Sequence, residues 1–259
     1  MIYLLPNSWR ELQRRVAQVL DECGIDTAVE KQVELARGRA EIDVWAHDSS
    51  SIPPQTYIIE CKRWSEAVPQ TVVHAFRSVV GDCGANWGAI VSSNGFQSGA
   101  YEAAKYSNVR LLTWQDFQAL FAKAWFERYF CREVAEKCDP LIEYTEPINS
   151  RIFRKADLLS EERREEFKRL REVHFALAAF CMMIRAQSIG ALQLYFGRNV
   201  SAMPDIPLRN NMQDSEAHLH GNLPDSIVDA ASYRELMSEI IEHAEKAIAS
   251  FDQLFGERA

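Results

Sequence analysis

Apolar positions recur along this chain with two periods. Between Trp9 and Cys23 they fall at Leu12, Val16, Val19 and Leu20, the spacing of one helical face; Asn7 or Ser8 can cap that helix and Gly24 ends it. Three short stretches rich in β-branched and aromatic residues follow: Thr27–Leu35, Ala40–Ala46 and Gln55–Cys61. Arg37-Gly38-Arg39 makes the first turn between them, and the Ser-Ser-Ser-Ile-Pro-Pro run at 49–54 cannot continue a strand, so they read as a three-strand meander. The helical period returns at Val72, Val73, Phe76, Val79 and Val80, with Pro69 suited to the first turn. Trp87–Ser92 then reads as a strand, Ser98–Tyr106 as a short helix, Val109–Thr113 as a last strand, and Trp114 to about Cys138 as a helix. The order predicts an α/β (α+β) fold with a mixed sheet, since alternating strands and helices favour parallel crossovers.

Beyond Cys138 the pattern changes. Asp139-Pro140 is expected to break the helix, leaving 139–157 as a linker or packing strand between a domain at 1–138 and a helical region at 158–259. Leu158–Phe196 is strongly helical; its first part mixes charges at pairing distance, and Phe175–Phe196 is apolar all round, which demands burial. Gly197–Pro224 reads as loop and Ser232–Phe255 as an amphipathic helix with Leu236, Ile240, Ile241, Ala244, Ile248 and Phe251 inside. This all-α C-terminal region would be a small bundle, a dimerisation surface or a target-recognition module.

Composition narrows the class. At 259 residues with 47% hydrophobic and 25% charged side chains, the chain is ordinary for a globular protein. Six cysteines without C-x-x-C spacing fit reduced thiols and a cytoplasmic setting, and neither a secretory signal nor a membrane-length apolar run is present. The net charge of −8 is unevenly shared: residues 1–126 hold 12 basic and 14 acidic side chains, the remainder 17 and 23. Any nucleic-acid binding would therefore rely on a local basic surface rather than on a basic protein; the face near Arg163, Arg164, Lys168, Arg169 and Arg171 reads as solvated ahead of a DNA contact because glutamates interleave it.

The candidate chemistry lies in the meander. Asp43 and Glu60 stand within strands where apolar side chains would be cheaper, and a buried carboxylate is costly unless paired or bound to a cation. Because strand side chains alternate, Glu60 and Lys62 share one face and Cys61 takes the other. Two carboxylates holding one or two Mg²⁺ ions, beside a lysine that stabilises charge or orients water, suit phosphodiester hydrolysis. Asp43 and Glu60 are the expected ligands, with the Cys61 carbonyl as a further one; Mn²⁺ would substitute for Mg²⁺.

Asp43 followed by Glu60-Cys61-Lys62 resembles the Asp…Glu-x-Lys signature of the PD-(D/E)xK nuclease superfamily. Arg-Gly-Arg-Ala-Glu-Ile-Asp-Val, Ile-Ile-Glu-Cys-Lys and Gly-Phe-Gln-Ser-Gly-Ala-Tyr-Glu-Ala-Ala resemble its Mrr-like restriction endonuclease branch, over roughly Trp9 to Phe121. The usual Pro before the Asp is absent; Ile42 stands there. The resemblance implies a restriction-endonuclease-like core and a Mg²⁺-dependent endodeoxyribonuclease. Its substrate would be foreign or modified double-stranded DNA in bacterial defence, cut to leave 5′-phosphates. One site per chain implies a homodimer or sequential nicking, with partner proteins engaged through the C-terminal helices. The alternatives are a catalytically silent DNA-binding or scaffold protein on the same fold and a structure-selective repair nuclease.

The resemblance also implies a glutamate from the first helix at the metal site. Glu11 is the nearest ionised candidate, while counting back from Gly24 favours Gln13. Arg14, Arg15 and Arg77 are candidate phosphate contacts, His74 reads as a half-buried structural histidine ahead of a catalytic base, and Glu41 as a strand-end charge ahead of a ligand. Gly95, Ser98 and Gly99 read as a tight helix–sheet junction ahead of a phosphate-contacting loop. His218-x-His220 reads as a loop pair ahead of a metal site.

Overall fold

The computed structural model describes residues 2–36, 38–185, 203–211 and 223–256. They separate into two compact units, Tyr3–Arg128 and a helical unit from Tyr129 onward that also takes in Ile2.

The first unit runs α1 (Trp9–Glu22), β1 (Asp26–Leu35), β2 (Gly38–Asp48), β3 (Gln55–Lys62), α2 (Gln70–Asp82), β4 (Trp87–Ser92), α3 (Ser98–Ala104), β5 (Val109–Thr113) and α4 (Trp114–Trp125). The five strands lie side by side in sequence order. β1–β2 and β2–β3 pair antiparallel, as the meander requires, and β3–β4 and β4–β5 pair parallel across α2 and α3. This is the mixed sheet and element order that the periodicity predicts.

Local chemistry fixes the helix ends. Ser8 accepts the Glu11 N–H at 3.2 Å while the Glu11 carboxylate accepts the Asn7 N–H at 2.9 Å, so the start of α1 is closed by its own side chains. Thr113 and Asp116 form a capping box at α4. On one sheet face Val73, Phe76 and Val80 of α2 and Ala100 and Ala103 of α3 bury Ile58, Ile90 and Val109. The approach is close enough to require glycine at Gly88, where a Cβ would stand 2.5 Å from Val80 and 2.8 Å from Phe76. Val44, Ile59, Ala89 and Val91 are fully buried on the other face, which α1 and α4 cover.

The helical unit contains α5 (Cys131–Thr145), α6 (Ser150–Asp157), α7 (Glu161–Arg185), α8 (Asp225–Val228) and α9 (Tyr233–Phe255), with a π-helical turn at Phe126–Phe130 preceding α5. α5, α7 and α9 pack on one another around Phe167, Tyr144 and Phe251. The expected break at Asp139-Pro140 does not occur: α5 continues through Pro140 to Thr145. Glu136 and Pro140 are both exposed, so the carbonyl freed by the missing N–H faces water, while Cys138, Leu141 and Ile142 keep the helix buried on its other side. The stretch 139–157, expected as a linker, thus holds the end of α5 and all of α6. The expected continuation of α7 past Arg185, most of the 197–224 loop and His218-x-His220 lie outside the described residues. No helix among the described residues is long and apolar enough to cross a membrane.

Candidate nuclease site

Backbone pairing explains where the site forms. The β2–β3 ladder ends at Val44–Ile59, although β3 runs on to Lys62 beside Ser92 of β4. The peptide of Cys61 thus reaches past the end of its pairing with β2, and a buried peptide needs partners. The Asp43 carboxylate accepts the Cys61 N–H at 2.7 Å, and the Trp9 indole N–H donates to the Cys61 carbonyl at 3.1 Å. The other Asp43 oxygen accepts from the Gln13 side-chain amide at 2.8 Å. The gap between the two strands is therefore lined by a carboxylate and two donors from α1.

Beyond that gap, Glu60 and Lys62 share a face of β3 and form an ion pair, while the Cys61 side chain is buried on the opposite side. Burial raises the Glu60 pKa above the ordinary carboxylate value, and the neighbouring Asp43 charge raises it further; the Lys62 ammonium works the other way. The Asp43 charge bears on Glu60, and the Lys62 ammonium pairs with Glu60. The Cys61 thiol is pushed well above its usual value, chiefly by burial and then by the charges of Asp43 and Glu60, which leaves it protonated and inert.

The structure brings Asp43, Glu60, Cys61 and Lys62 together as the spacing anticipates, and it corrects Glu11. That carboxylate closes the N-terminus of its own helix and lies 3.8 Å from Arg15, whereas Gln13, one per cent exposed, meets Asp43. Helical geometry decides this, because Gln13 falls within the buried stripe of Leu12, Val16 and Ala17 and Glu11 does not. Glu41 is an exposed strand-end charge bonded to Gln32. His74 is exposed, not half-buried, and shares a shallow cavity of about 620 Å³ with Arg77 and Tyr106. Arg77 donates to the Ala103 carbonyl at 2.9 Å, and Arg15 stacks 4.5 Å from the Tyr3 ring. Gly99 lies against Gln70, so its closeness serves an α2–α3 junction rather than a helix–sheet one.

Two residues escaped the sequence reading. Trp9 holds the Cys61 carbonyl, and Trp64, 41% exposed, places its ring 5.2 Å from the Lys62 ammonium. The position of Trp9 four residues before Gln13, on one helix face, was the available signal.

Among the described residues no cluster of three or more His, Cys, Asp or Glu side chains is suited to hold a metal. The donor set at the strand gap is of another kind: two carboxylates and a main-chain carbonyl, all oxygen, which suits a hard divalent cation. The residues fit such an ion. Burial and the nearby Asp43 charge both disfavour a bare Glu60 carboxylate, and the carbonyl oxygen has a second lone pair beyond the one Trp9 occupies.

A mixed five-strand sheet flanked by helices, with two acids and a lysine gathered where β2 leaves β3, is consistent with a restriction-endonuclease-like α/β fold. Residues 4–121 match the Mrr catalytic family, described as restriction endonuclease. The match spans a little under half of the chain, and it is this part that is similar to restriction endonucleases. Among solved structures, a protein of unknown function, AF1548, is 15% identical with a TM-score of 0.38, covering 94% of this chain and 100% of its own. The DNA modification-dependent restriction endonuclease AspBHI is 16% identical with a TM-score of 0.29, covering 48% of this chain and 40% of its own. No curated protein matches the chain.

Proposed function

We propose that the protein is a Mg²⁺-dependent endodeoxyribonuclease, with Mn²⁺ able to substitute, acting in bacterial defence on foreign or modified DNA. The observation that carries this reading is the assembly of Asp43, Glu60 and Lys62 at the end of the β2–β3 ladder, with the Cys61 peptide fixed between them. An abandoned site has no reason to keep two mutually repelling carboxylates beside a lysine.

Asp43, Glu60 and the Cys61 carbonyl would hold the cation, whose chemistry there is to polarise a phosphoryl oxygen and lower the pKa of a bound water. Gln13 keeps Asp43 oriented by donating to the oxygen that the Cys61 N–H does not use. Lys62, released from Glu60 as positive charge arrives, would donate to the phosphate as negative charge builds on its oxygens. Water then forms the new P–O bond, the P–O3′ bond breaks, the proton passes to the leaving 3′ oxygen through solvent, and a 5′-phosphate remains. Catalysis falls to the first unit. The helical unit, by this reading, supplies selection, pairing into a homodimer for double-strand cutting, or contact with partner proteins.

Supercoiled plasmid, methylated and unmethylated, incubated with Mg²⁺ or Mn²⁺ tests the proposal. Nicking or linearisation by the wild-type chain, abolished by EDTA and by Asp43→Ala and Lys62→Ala, is the expected result. Cleavage that persists in both variants would overturn it.

A further inference from the structure

Trp9 stands outside the acid–lysine trio yet is tied to it. It is the first residue of α1 and 39% exposed, and its indole N–H donates to the Cys61 carbonyl at 3.1 Å rather than to water. Gln13, one turn later on the same face, donates to Asp43 at 2.8 Å. α1 thus delivers two donors, one to each group at the end of the ladder, and both groups belong to the oxygen set that fits a cation. Cys61 pairs with Val91 of β4 but lies beyond its last ladder pair with β2, so no β2 ladder bond fixes this carbonyl. A donor on one lone pair sets the carbonyl's direction and leaves the other lone pair available.

We propose that Trp9 is a positioning residue of the cation site, acting through its hydrogen bond to the Cys61 carbonyl. The inference rests on the nuclease reading, since only a bound cation gives the carbonyl's direction a chemical consequence. Outer partners of metal ligands orient those ligands, and losing one costs roughly 10- to 100-fold in affinity or activity. The competing role is structural: the indole covers the sheet end and satisfies a polar group, with no bearing on cation binding.

Two readouts separate these roles. In the ¹⁵N-labelled full chain, the indole N–H resonances of the six tryptophans are assigned by triple-resonance methods and followed through a Mg²⁺ titration. The Trp9 resonance is expected to shift with the same midpoint as calorimetric binding, and to stay still when Asp43→Ala removes the site. Trp9→Phe, which keeps a ring and removes the N–H, is expected to bind Mn²⁺ about tenfold more weakly. A Trp9 resonance unmoved at saturation, or wild-type Mn²⁺ affinity in a folded Trp9→Phe chain, overturns the proposal and leaves the nuclease reading intact. A wild-type chain that binds neither ion overturns both. Because the resonance is read in the wild-type protein, the test holds even if Trp9→Phe does not fold.

Discussion

The two compact units treat partly buried charge in opposite ways. In the helical unit it is carried by arginines at helix ends. Arg171 donates to the Thr145 and Glu146 carbonyls that terminate α5 and lies 4.6 Å from the Phe153 ring centroid, and Arg164 donates to the Asp157 and Leu159 carbonyls after α6. Each cation meets the partial negative charge of a helix C-terminus through its terminal nitrogens, while the Nε of both arginines is buried without a hydrogen-bond partner among the described residues. In the first unit two acids are brought together, and burial and their mutual repulsion raise the Glu60 pKa with only Lys62 opposing. The helical unit sets its cations against helix ends; the first unit sets two carboxylates near each other, one of them also holding the Cys61 N–H and the Gln13 amide. That contrast supports placing the proposed chemistry in the first unit.

The contrast is broken most directly by removing the charges themselves. Asp43→Ala and Lys62→Ala should each lower the cleavage rate by at least about 100-fold in a plasmid assay, the scale of losing one stabilising group at a reacting phosphate. Arg171→Met should act on stability instead. Losing charged hydrogen bonds at the end of α5 costs about 1.5–3 kcal/mol, visible as a lower melting temperature with cation affinity unchanged.

A third change should stabilise. Glu60 has a raised folded pKa, so the folded state holds its proton more tightly than the unfolded chain does. That contribution is present below the ordinary carboxylate pKa and is lost as pH rises through the raised one. Asp43→Asn removes the charge that helps raise it and keeps an oxygen for the Cys61 N–H, while the Gln13 amide can turn to match. The melting temperature without metal should rise by roughly 2–4 °C above the Glu60 range, about 1 kcal/mol for a chain this long, and by less at acid pH. At the small end, Glu166→Gln and Glu242→Gln break exposed pairs one helical turn apart, with Arg169 and Lys246, and should leave the melting curve unchanged within error.

How much of this was legible in the sequence follows from how local each cause is. The strands and helices of the first unit are announced by periodicity and turn residues, and the Glu-x-Lys spacing fixes the Glu60–Lys62 pair through strand alternation alone. The first-helix position stayed open between Glu11, the nearest ionised residue, and Gln13, the one the count from Gly24 favours. A polar Gln13 inside the stripe Leu12, Val16, Ala17 was the better signal, since a buried amide must bond to something. Pro140 misled because a proline on the solvent side of a well-buried helix is tolerated. The spacing of Trp9 and Gln13 on one helix face was legible, but the partner of Trp9 was not: it lies 52 residues away, past the end of the β2–β3 ladder at Val44–Ile59.

Calorimetric titration of Mn²⁺ into the metal-free chain, beside Asp43→Ala and Arg171→Met, tests the central claim most directly. The account predicts binding at the strand gap that disappears with Asp43→Ala and survives Arg171→Met. Equal binding by wild type and Asp43→Ala, or none by wild type, would contradict it.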